Sequence, residues 1–279
     1  MEPFGQTITS LHNPKVGALR ALQTSKGRRA ARAFLAEGVH LVTEAHAAHI
    51  QPDLVIYDPT ALDGAPLLDV LGVWAAEGVE VVAATPTIME RVCDAQTPQG
   101  VAAVINLDRV TAERMNARRR GRFRPLLLIL DDIADPGNVG TILRSALAAD
   151  VDTVLLTPNC VDAFAPKVVR AASGAHFHLP LRPEQSWAQI EAQLAGAPHM
   201  QQVLVADAAG DTDYSALDLT QRTGLIIGNE TRGPSVAARS RATRQVRIPM
   251  YNHVESLNAG IAASVILFEA VRQRRATEK

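Results

Sequence analysis

The chain has 279 residues, of which 47% are hydrophobic and 20% are charged, and its formal net charge is −1. This composition is typical of globular proteins and excludes a fully disordered chain, while the length allows one large domain or two modest ones. Only two cysteines occur, far apart, which excludes a disulfide-stapled fold. We see no signal-peptide pattern and no apolar run of the roughly 18–20 residues that a membrane span needs. We therefore expect a soluble, cytoplasmic protein that does not act at a membrane.

The first part of the chain alternates between helical and strand patterns. A basic amphipathic stretch covers about residues 13–33, and further helices are predicted over 39–48 and 87–93. Short apolar runs predict strands over 53–57, 79–83 and 101–105. We predict a small α/β domain over residues 1–110.

An arginine-rich segment over residues 111–122 lacks apolar periodicity and is interpreted as a linker. The domain after it, over residues 123–279, repeats a unit of strand, turn and helix. Strands are predicted over 126–130, 153–157, 203–206, 225–227 and 246–248. Helices are predicted over 138–149, 165–172, 186–194 and 256–274. This alternation predicts a parallel sheet covered on both faces, with ligands beyond the carboxyl ends of its strands.

Basic residues are concentrated in two blocks that contain no acidic residue, one over 12–36 and the other over 114–124. Such blocks can neutralise phosphates and release counterions, which favours a nucleic-acid partner. A solvated helix face and a flexible linker are the alternative interpretation. The candidate phosphate-contacting residues are Lys15, Lys26, Arg28, Arg29, Arg32, Arg118, Arg119 and Arg120.

Several common site motifs are missing from the sequence. No G-x-G-x-x-G follows a predicted strand, and the P-loop-like glycine spacing over 228–233 is followed by Pro234 and Ser235 instead of Lys and Ser/Thr. His176 and His178 have no third metal ligand near them in sequence. We therefore predict no metal site.

Three loops that follow predicted strands carry polar residues which folding alone does not require. In the first, Asn138 is a candidate N-cap and Arg144 lies almost two turns further on. The second places Gly228 and Glu230 at a strand end, with a simple capped turn as the alternative. In the third, Ser256 is a candidate N-cap for the last helix and Asn258 follows it. Together the loops predict a ligand cleft.

The segments PGNVGTILRSA, IIGNETRGPS and IPMYNHVESLNAGIAASV resemble the three signature motifs of the SpoU family of RNA ribose 2′-O-methyltransferases, in the SPOUT superfamily. They occur in the family's order and with its internal spacing. The residues around Glu37-Gly38 and Thr97–Val101 are similar to the family's RNA-binding accessory domain. The resemblance covers nearly the whole chain.

The resemblance implies a small α/β RNA-binding domain followed by a SPOUT catalytic domain with a parallel sheet and a deep trefoil knot. It implies S-adenosylmethionine as the methyl donor and a homodimer. The implied cofactor contacts are Gly228, Ile248 and Leu257. The implied reaction-site residues are Asn138, Arg144, Glu230, Ser256 and Asn258. An apolar face of the last helix that could supply the dimer contact contains Ile261, Val265, Phe268 and Val271, with packing on its own sheet as the alternative.

Family proposals place Arg144 near the proton of the ribose 2′-hydroxyl. A guanidinium normally stays protonated, so we favour a phosphate clamp over a general base. The complete N-terminal domain favours large-subunit (23S) ribosomal RNA as the substrate. The alternatives are a tRNA ribose methyltransferase, a non-catalytic RNA-binding factor in ribosome assembly, and an antibiotic-resistance methyltransferase that acts on the same rRNA.

Overall fold

The computed structural model describes residues 7–277, apart from residues 63, 112–124, 197–199 and 253. The predicted linker, apart from Thr111, lies outside the described residues, and so do Arg118, Arg119 and Arg120. The chain divides into two compact units. The first contains Met1–Thr111 and Phe164–His178, and the second contains Ala112–Ala163 and Leu179–Lys279.

The helices and strands are numbered in chain order. The described helices are α1 (Pro14–Ala21), α2 (Ser25–Ala31), α3 (Val39–Ala47), α4 (Leu67–Ala76), α5 (Pro86–Val92), α6 (Pro136–Ala148), α7 (Pro166–Ala172), α8 (Trp187–Ala195), α9 (Val236–Arg241) and α10 (Ala259–Ala276). The described strands are β1 (Ala33–Glu37), β2 (Leu54–Tyr57), β3 (Glu80–Ala83), β4 (Val101–Asn106), β5 (Leu126–Leu130), β6 (Thr153–Leu156), β7 (Leu181–Arg182), β8 (Gln202–Ala206), β9 (Thr212–Asp213), β10 (Thr223–Ile227) and β11 (Arg244–Arg247).

The first unit is built on a four-stranded sheet in the order β1-β4-β2-β3. Strand β4 is antiparallel to both of its neighbours, and β2 is parallel to β3. The basic stretch over 13–33 forms two helices, because Asn13 and Thr24 each cap a separate one with their side chains. The expectation of helix up to residue 33 is wrong at its end, since β1 begins at Ala33.

Residues 164–178 pack in the first unit, although the sequence prediction placed them in the second domain. The physical reason is an aromatic cluster on β1. The ring centroid of Phe34 lies 5.2 Å from that of Phe164, 5.8 Å from that of His176 and 6.4 Å from that of Phe177. In addition, Arg170 of α7 forms an ion pair with Glu37 at the end of β1.

The second unit contains a seven-stranded sheet in the order β7-β6-β5-β10-β8-β11-β9. Each neighbouring pair is parallel, which confirms the predicted parallel sheet. Strands β5 and β10 are buried along their whole length, as expected for central strands covered on both faces. Because β5, β10, β8 and β11 are neighbours, the loops that follow them meet at one edge of the sheet.

Among the described residues, no helix is both long enough and apolar enough to cross a lipid bilayer.

Candidate functional site

A cavity of about 350 Å³ lies in the second unit, at the carboxyl edge of the sheet. It is lined by residues that follow β8, β10 and β11, so three chain segments distant in sequence share one site. The predicted site residues that line it are Gly228, Glu230, Ile248, Ser256 and Leu257. The second and third of the three loops singled out in the sequence therefore line one cavity, whereas the described lining includes no residue of the first loop.

Gly228 lies directly after β10, where the chain turns sharply. A Cβ atom at this position would lie 2.5 Å from the Cα and N atoms of Pro234, so only glycine fits. The turn is held by Asn229, whose Oδ1 accepts hydrogen bonds from the backbone N–H groups of Thr231 and Arg232, each at 3.0 Å. The result is a rigid wall of the cavity that presents backbone groups closely to a ligand.

A chain of hydrogen bonds joins three predicted reaction-site residues. Asn258 donates from Nδ2 to Oδ1 of Asn138 at 2.7 Å, and Asn138 donates from Nδ2 to Oε1 of Glu230 at 2.6 Å. The Oδ1 of Asn258 accepts from the backbone N–H groups of Gly260 and Ile261. Because those N–H groups fix the position of the Asn258 oxygen, they determine which end of the Asn258 amide donates to Asn138. They also determine which end of the Asn138 amide donates to Glu230.

The helix caps near this site differ from the prediction. Asp135, not Asn138, is the N-cap of α6, since its Oδ1 accepts the Asn138 N–H at 2.8 Å. The N-cap of α10 is Asn258, not Ser256. Both differences have the same physical reason: each helix begins where a side-chain oxygen can accept a backbone N–H that has no partner within the helix. Because Asp135 and Asn258 cap the two helices, the side chains of Asn138 and Ser256 remain available to the site.

Arg144 lies on α6 with an exposed side chain, about two turns beyond the start of the helix. It does not line the cavity among the described residues, whereas Asn138 and Asn258 reach the cavity through Glu230. Arg144 therefore remains available to a ligand approaching from solvent.

Asp131 follows β5 and is a buried carboxylate that the sequence interpretation did not select. It is 1% exposed, and its Oδ2 accepts the backbone N–H of Ser235 at 2.7 Å. Its Oδ1 has no hydrogen-bond partner in the described part of the chain. Burial raises the pKa of this carboxyl, and the Ser235 hydrogen bonds oppose the shift. Asp131 thus anchors the end of the loop that begins at Gly228.

Asp207 and Arg239 line the cavity and were also missed. Arg239 donates from Nε to Oδ2 of Asp207 at 2.8 Å, and the carboxylate is 10% exposed. This pair ties the end of β8 to α9. Asp131 and Asp207 could have been found from the sequence, because each is a carboxylate directly after a predicted strand.

The basic residues of the first block have different environments. Arg28 is buried and donates from Nη1 to the carbonyl oxygen of Leu22 at 2.8 Å. The prediction that Arg28 contacts phosphate is therefore wrong, and its role is structural. Lys15 pairs with Glu80, and Arg32 with Asp108. The remaining members of this set are exposed on α2: Lys26 and Arg29.

Within the described ranges, no cluster of His, Cys, Asp and Glu has the geometry of a metal site. His176 instead packs among the aromatic rings of the first unit.

The fold and the cavity define a parallel α/β domain with a small-molecule site at the carboxyl edge of its sheet, preceded in sequence by a smaller α/β unit. Residues 125–268 match the SpoU rRNA Methylase family, and residues 13–103 match the MRM3-like substrate binding domain. The chain belongs to the SpoU rRNA methylase family.

Two relatives match along almost their whole length. The chain is 29% identical over 262 residues to the 23S rRNA (guanosine(2553)-2′-O)-methyltransferase RlmP of Bacillus subtilis, covering 94% of this chain and 97% of that protein. It is 32% identical over 284 residues to the 23S rRNA (uridine(2479)-2′-O)-methyltransferase of Streptomyces viridochromogenes, covering 98% and 94%. A crystal structure of the SpoU methyltransferase AviRb from S. viridochromogenes with the cofactor AdoMet superposes with a TM-score of 0.82 at 30% identity, covering 95% of this chain and 100% of that one.

Proposed function

We propose that this protein transfers a methyl group from S-adenosylmethionine to a ribose 2′-hydroxyl of 23S rRNA. The observation that carries the proposal is the hydrogen-bonded chain from Asn258 through Asn138 to Glu230, which links reaction-site residues to the cavity. The likeness to two proteins named 23S rRNA 2′-O-methyltransferases supports the reaction and the RNA.

The cavity fits the proposed methyl donor in size and chemistry. Its volume of about 350 Å³ is within the range of roughly 300–1,000 Å³ that is usual for small-molecule sites. Ile248 and Leu257 provide apolar surface for the adenosine part, and the turn at Gly228 allows close backbone approach. The carboxylate of Glu230 suits a ligand that carries a positive charge. When bound, S-adenosylmethionine supplies an electrophilic methyl group on a sulfonium, which is already a good leaving group.

The main contribution of the protein is to orient the target ribose relative to the methyl group of the donor. Asn138 and Asn258 hold Glu230 in one direction. In this proposal the exposed Arg144 binds the phosphate beside the target ribose. A guanidinium there favours the negative charge that develops on the 2′-oxygen as the bond from this oxygen to the methyl carbon forms and the bond from that carbon to sulfur breaks. The hydroxyl proton then passes to solvent water, and Arg144 does not accept it. Ser256, at the mouth of the cavity, contributes a hydroxyl that can bind the ribose.

The first unit selects the RNA in this proposal. Lys26 and Arg29 on α2 would contact phosphates, and Lys15 and Arg32 would exchange their surface ion pairs for phosphate contacts. The match of residues 13–103 to a substrate-binding domain supports this assignment.

The proposal includes a homodimer formed through α10. Ile261 and Phe268 are 52% and 48% exposed and seven positions apart, so they share a face of the helix. An apolar stripe of this kind on a surface helix is typical of an interface. We expect Phe268→Asp to give a monomer in light scattering, whereas an unchanged mass for this variant would argue against this interface.

The proposal also includes a trefoil knot in the second unit. It is supported by the position of β10 between β5 and β8, and by the return of Ile248, Met250 and residues 255–257 to the cavity formed by the turn after β10. The chain trace of a crystal structure through residues 223–276 tests this point.

The enzymatic proposal is tested by single-turnover methylation of a 23S rRNA transcript with saturating protein. The wild type should methylate the transcript, and Arg144→Ala should slow the reaction by a factor on the order of a hundred, as for other preorganised charge-stabilising groups. An unchanged rate for this variant would remove Arg144 from the reaction. Preference for a tRNA transcript over 23S rRNA would support the tRNA alternative.

A further inference from the structure

The first unit contains a second cavity, of about 220 Å³, that the methyl-transfer site does not use. It lies where β1 ends and β4 begins, next to the start of α3 and to the segment after α5. Its apolar wall is formed by Leu41, Cys93, Pro98 and Val101. Two sequence segments that gave the N-terminal resemblance, around Glu37 and around Gln99, therefore line one pocket.

Glu37 builds the inner end of this pocket. Its carboxylate accepts the backbone N–H groups of Asp94 at 2.9 Å and Ala95 at 3.2 Å, and it accepts Nη1 of Arg170 at 3.2 Å. Burial raises the pKa of the Glu37 carboxyl, while the Asp94 N–H and the charge of Arg170 oppose the shift. These contacts engage both of its oxygens, so Glu37 shapes the pocket by holding residues 94–95 against the end of β1.

Gln99 provides a hydrogen-bond donor at the rim. Its Oε1 accepts the backbone N–H of Val39 at 3.0 Å, which leaves its Nε2 as the group available to a ligand. The contact requires glycine at position 38, where φ is +98° and a Cβ atom would lie 2.6 Å from Oε1 of Gln99. The donor is thus held in position by the backbone.

The charges around the pocket disfavour a phosphate. Arg170 donates Nη1 to Glu37 and Nη2 to Asp94, at 3.2 Å and 2.7 Å, so two carboxylates surround one guanidinium. Burial, and then the charge of Glu37, raises the pKa of Cys93 to about 12, so its thiol is a neutral part of the wall. His40 also lines the pocket, and its Nε2 lies 2.9 Å from Oγ of Ser173. The apolar wall and the amide donor at the rim suit a planar ring with polar edge atoms.

We propose that this pocket receives one unstacked nucleobase of the rRNA, with Nε2 of Gln99 donating to an acceptor on the edge of the base. The inference rests on the proposed function, because it takes rRNA as the substrate. A volume of about 220 Å³ accommodates a single base, and proteins that read RNA sequence commonly bind bases splayed out from loops and bulges. The pocket lies within the residues that match a substrate-binding domain.

The test compares the affinity of three variants of the full chain for a 23S rRNA transcript in filter binding. Ala95→Phe fills the pocket and keeps the backbone N–H that Glu37 binds, while Ala76→Phe places the same side chain at an exposed position of α4 outside the pocket. Gln99→Ala removes the donor. We expect Ala95→Phe to weaken binding at least tenfold and Ala76→Phe to have no effect. Gln99→Ala should weaken binding about three- to tenfold, the usual range for one hydrogen bond.

The salt dependence of binding separates a base contact from a phosphate contact. A base contact predicts that Gln99→Ala leaves the slope of log Kd against log salt unchanged, whereas loss of a phosphate contact lowers the slope by about 1. A changed slope, or wild-type affinity for both pocket variants, would overturn the inference. If Ala95→Phe does not fold, the affinity and the salt slope of Gln99→Ala alone decide whether the pocket binds a base. Failure of the wild type to methylate or bind the transcript would instead overturn the proposed function together with this inference.

Discussion

Asn258 and Asn138 are 120 positions apart in the chain, yet their side-chain amides meet at 2.7 Å. The same Asn258 side chain also caps α10, so one residue begins the helix with its oxygen and orients Asn138 with its nitrogen. The start of the last helix and the geometry of the site therefore depend on each other.

This dual role can be separated by two substitutions. Asn258→Asp keeps an oxygen for the cap and removes the donor to Asn138, so we expect stability close to that of the wild type and methylation slowed at least tenfold. Asn258→Ala removes both contacts and should also lower the free energy of unfolding by about 0.5–2 kcal/mol. Urea denaturation and single-turnover methylation measure the two effects. Full activity in Asn258→Asp would show that the orientation of Asn138 does not matter.

The turn at Gly228 provides a second prediction. In Gly228→Ala the new Cβ would lie 2.5 Å from backbone atoms of Pro234, so the wall of the cavity must move. We expect the affinity for S-adenosylmethionine in calorimetry to fall on the order of tenfold or more. Gly17→Ala is the control, since a Cβ at Gly17 meets nothing within 4 Å. Equal affinity in both variants would place the methyl donor elsewhere.

The ion pair between Arg239 and Asp207 gives a third prediction. Arg239→Ala leaves a largely buried carboxylate without its cation at the edge of the cavity, and the affinity for S-adenosylmethionine should fall about three- to tenfold. Arg241→Ala is a matched control on the same helix, because Arg241 pairs with Glu191 and does not line the cavity in the described part of the chain. A similar loss in both variants would indicate a general effect on α9.

The burial of Asp131 leads us to expect an unusual dependence of the free energy of unfolding on pH. Because burial raises its pKa, the folded state binds a proton more readily than the unfolded state at this residue. Its contribution to the free energy of unfolding should therefore increase as the pH falls through the raised pKa of the folded state towards the ordinary pKa of an aspartate, the opposite of the usual behaviour of a paired carboxylate. The wild type should gain stability relative to Asp131→Asn over this range in urea denaturation. If the difference in free energy of unfolding between the wild type and Asp131→Asn stays constant or shrinks as the pH falls, the pKa of Asp131 is not raised in the folded state.

Local patterns in the sequence predict much of the fold. The continuous apolar run over Leu126–Leu130 marks β5 with its observed bounds, because a strand buried on both faces needs no polar position. Strand β1 was missed because its sequence AFLAE consists mainly of residues that also favour helix. Helix α4 was missed because its almost uniformly apolar sequence conceals the helical period.

Long-range contacts explain what local patterns could not predict. The packing of residues 164–178 in the first unit depends on Phe34, which lies far away in sequence. The site motifs indicate which residues gather around the cavity, but not the hydrogen bond between Asn138 and Glu230, which are 92 positions apart. The roles of Asp131 and Asp207 also depend on partners from other segments.

The most direct test of the proposed activity is to incubate the purified protein with radiolabelled S-adenosylmethionine and a 23S rRNA transcript, and then to identify the labelled nucleoside by chromatography and mass spectrometry. We predict label in a single 2′-O-methylated nucleoside and a large reduction of that label with Arg144→Ala. Label on a base instead of a ribose, or no transfer to the transcript, would contradict this prediction.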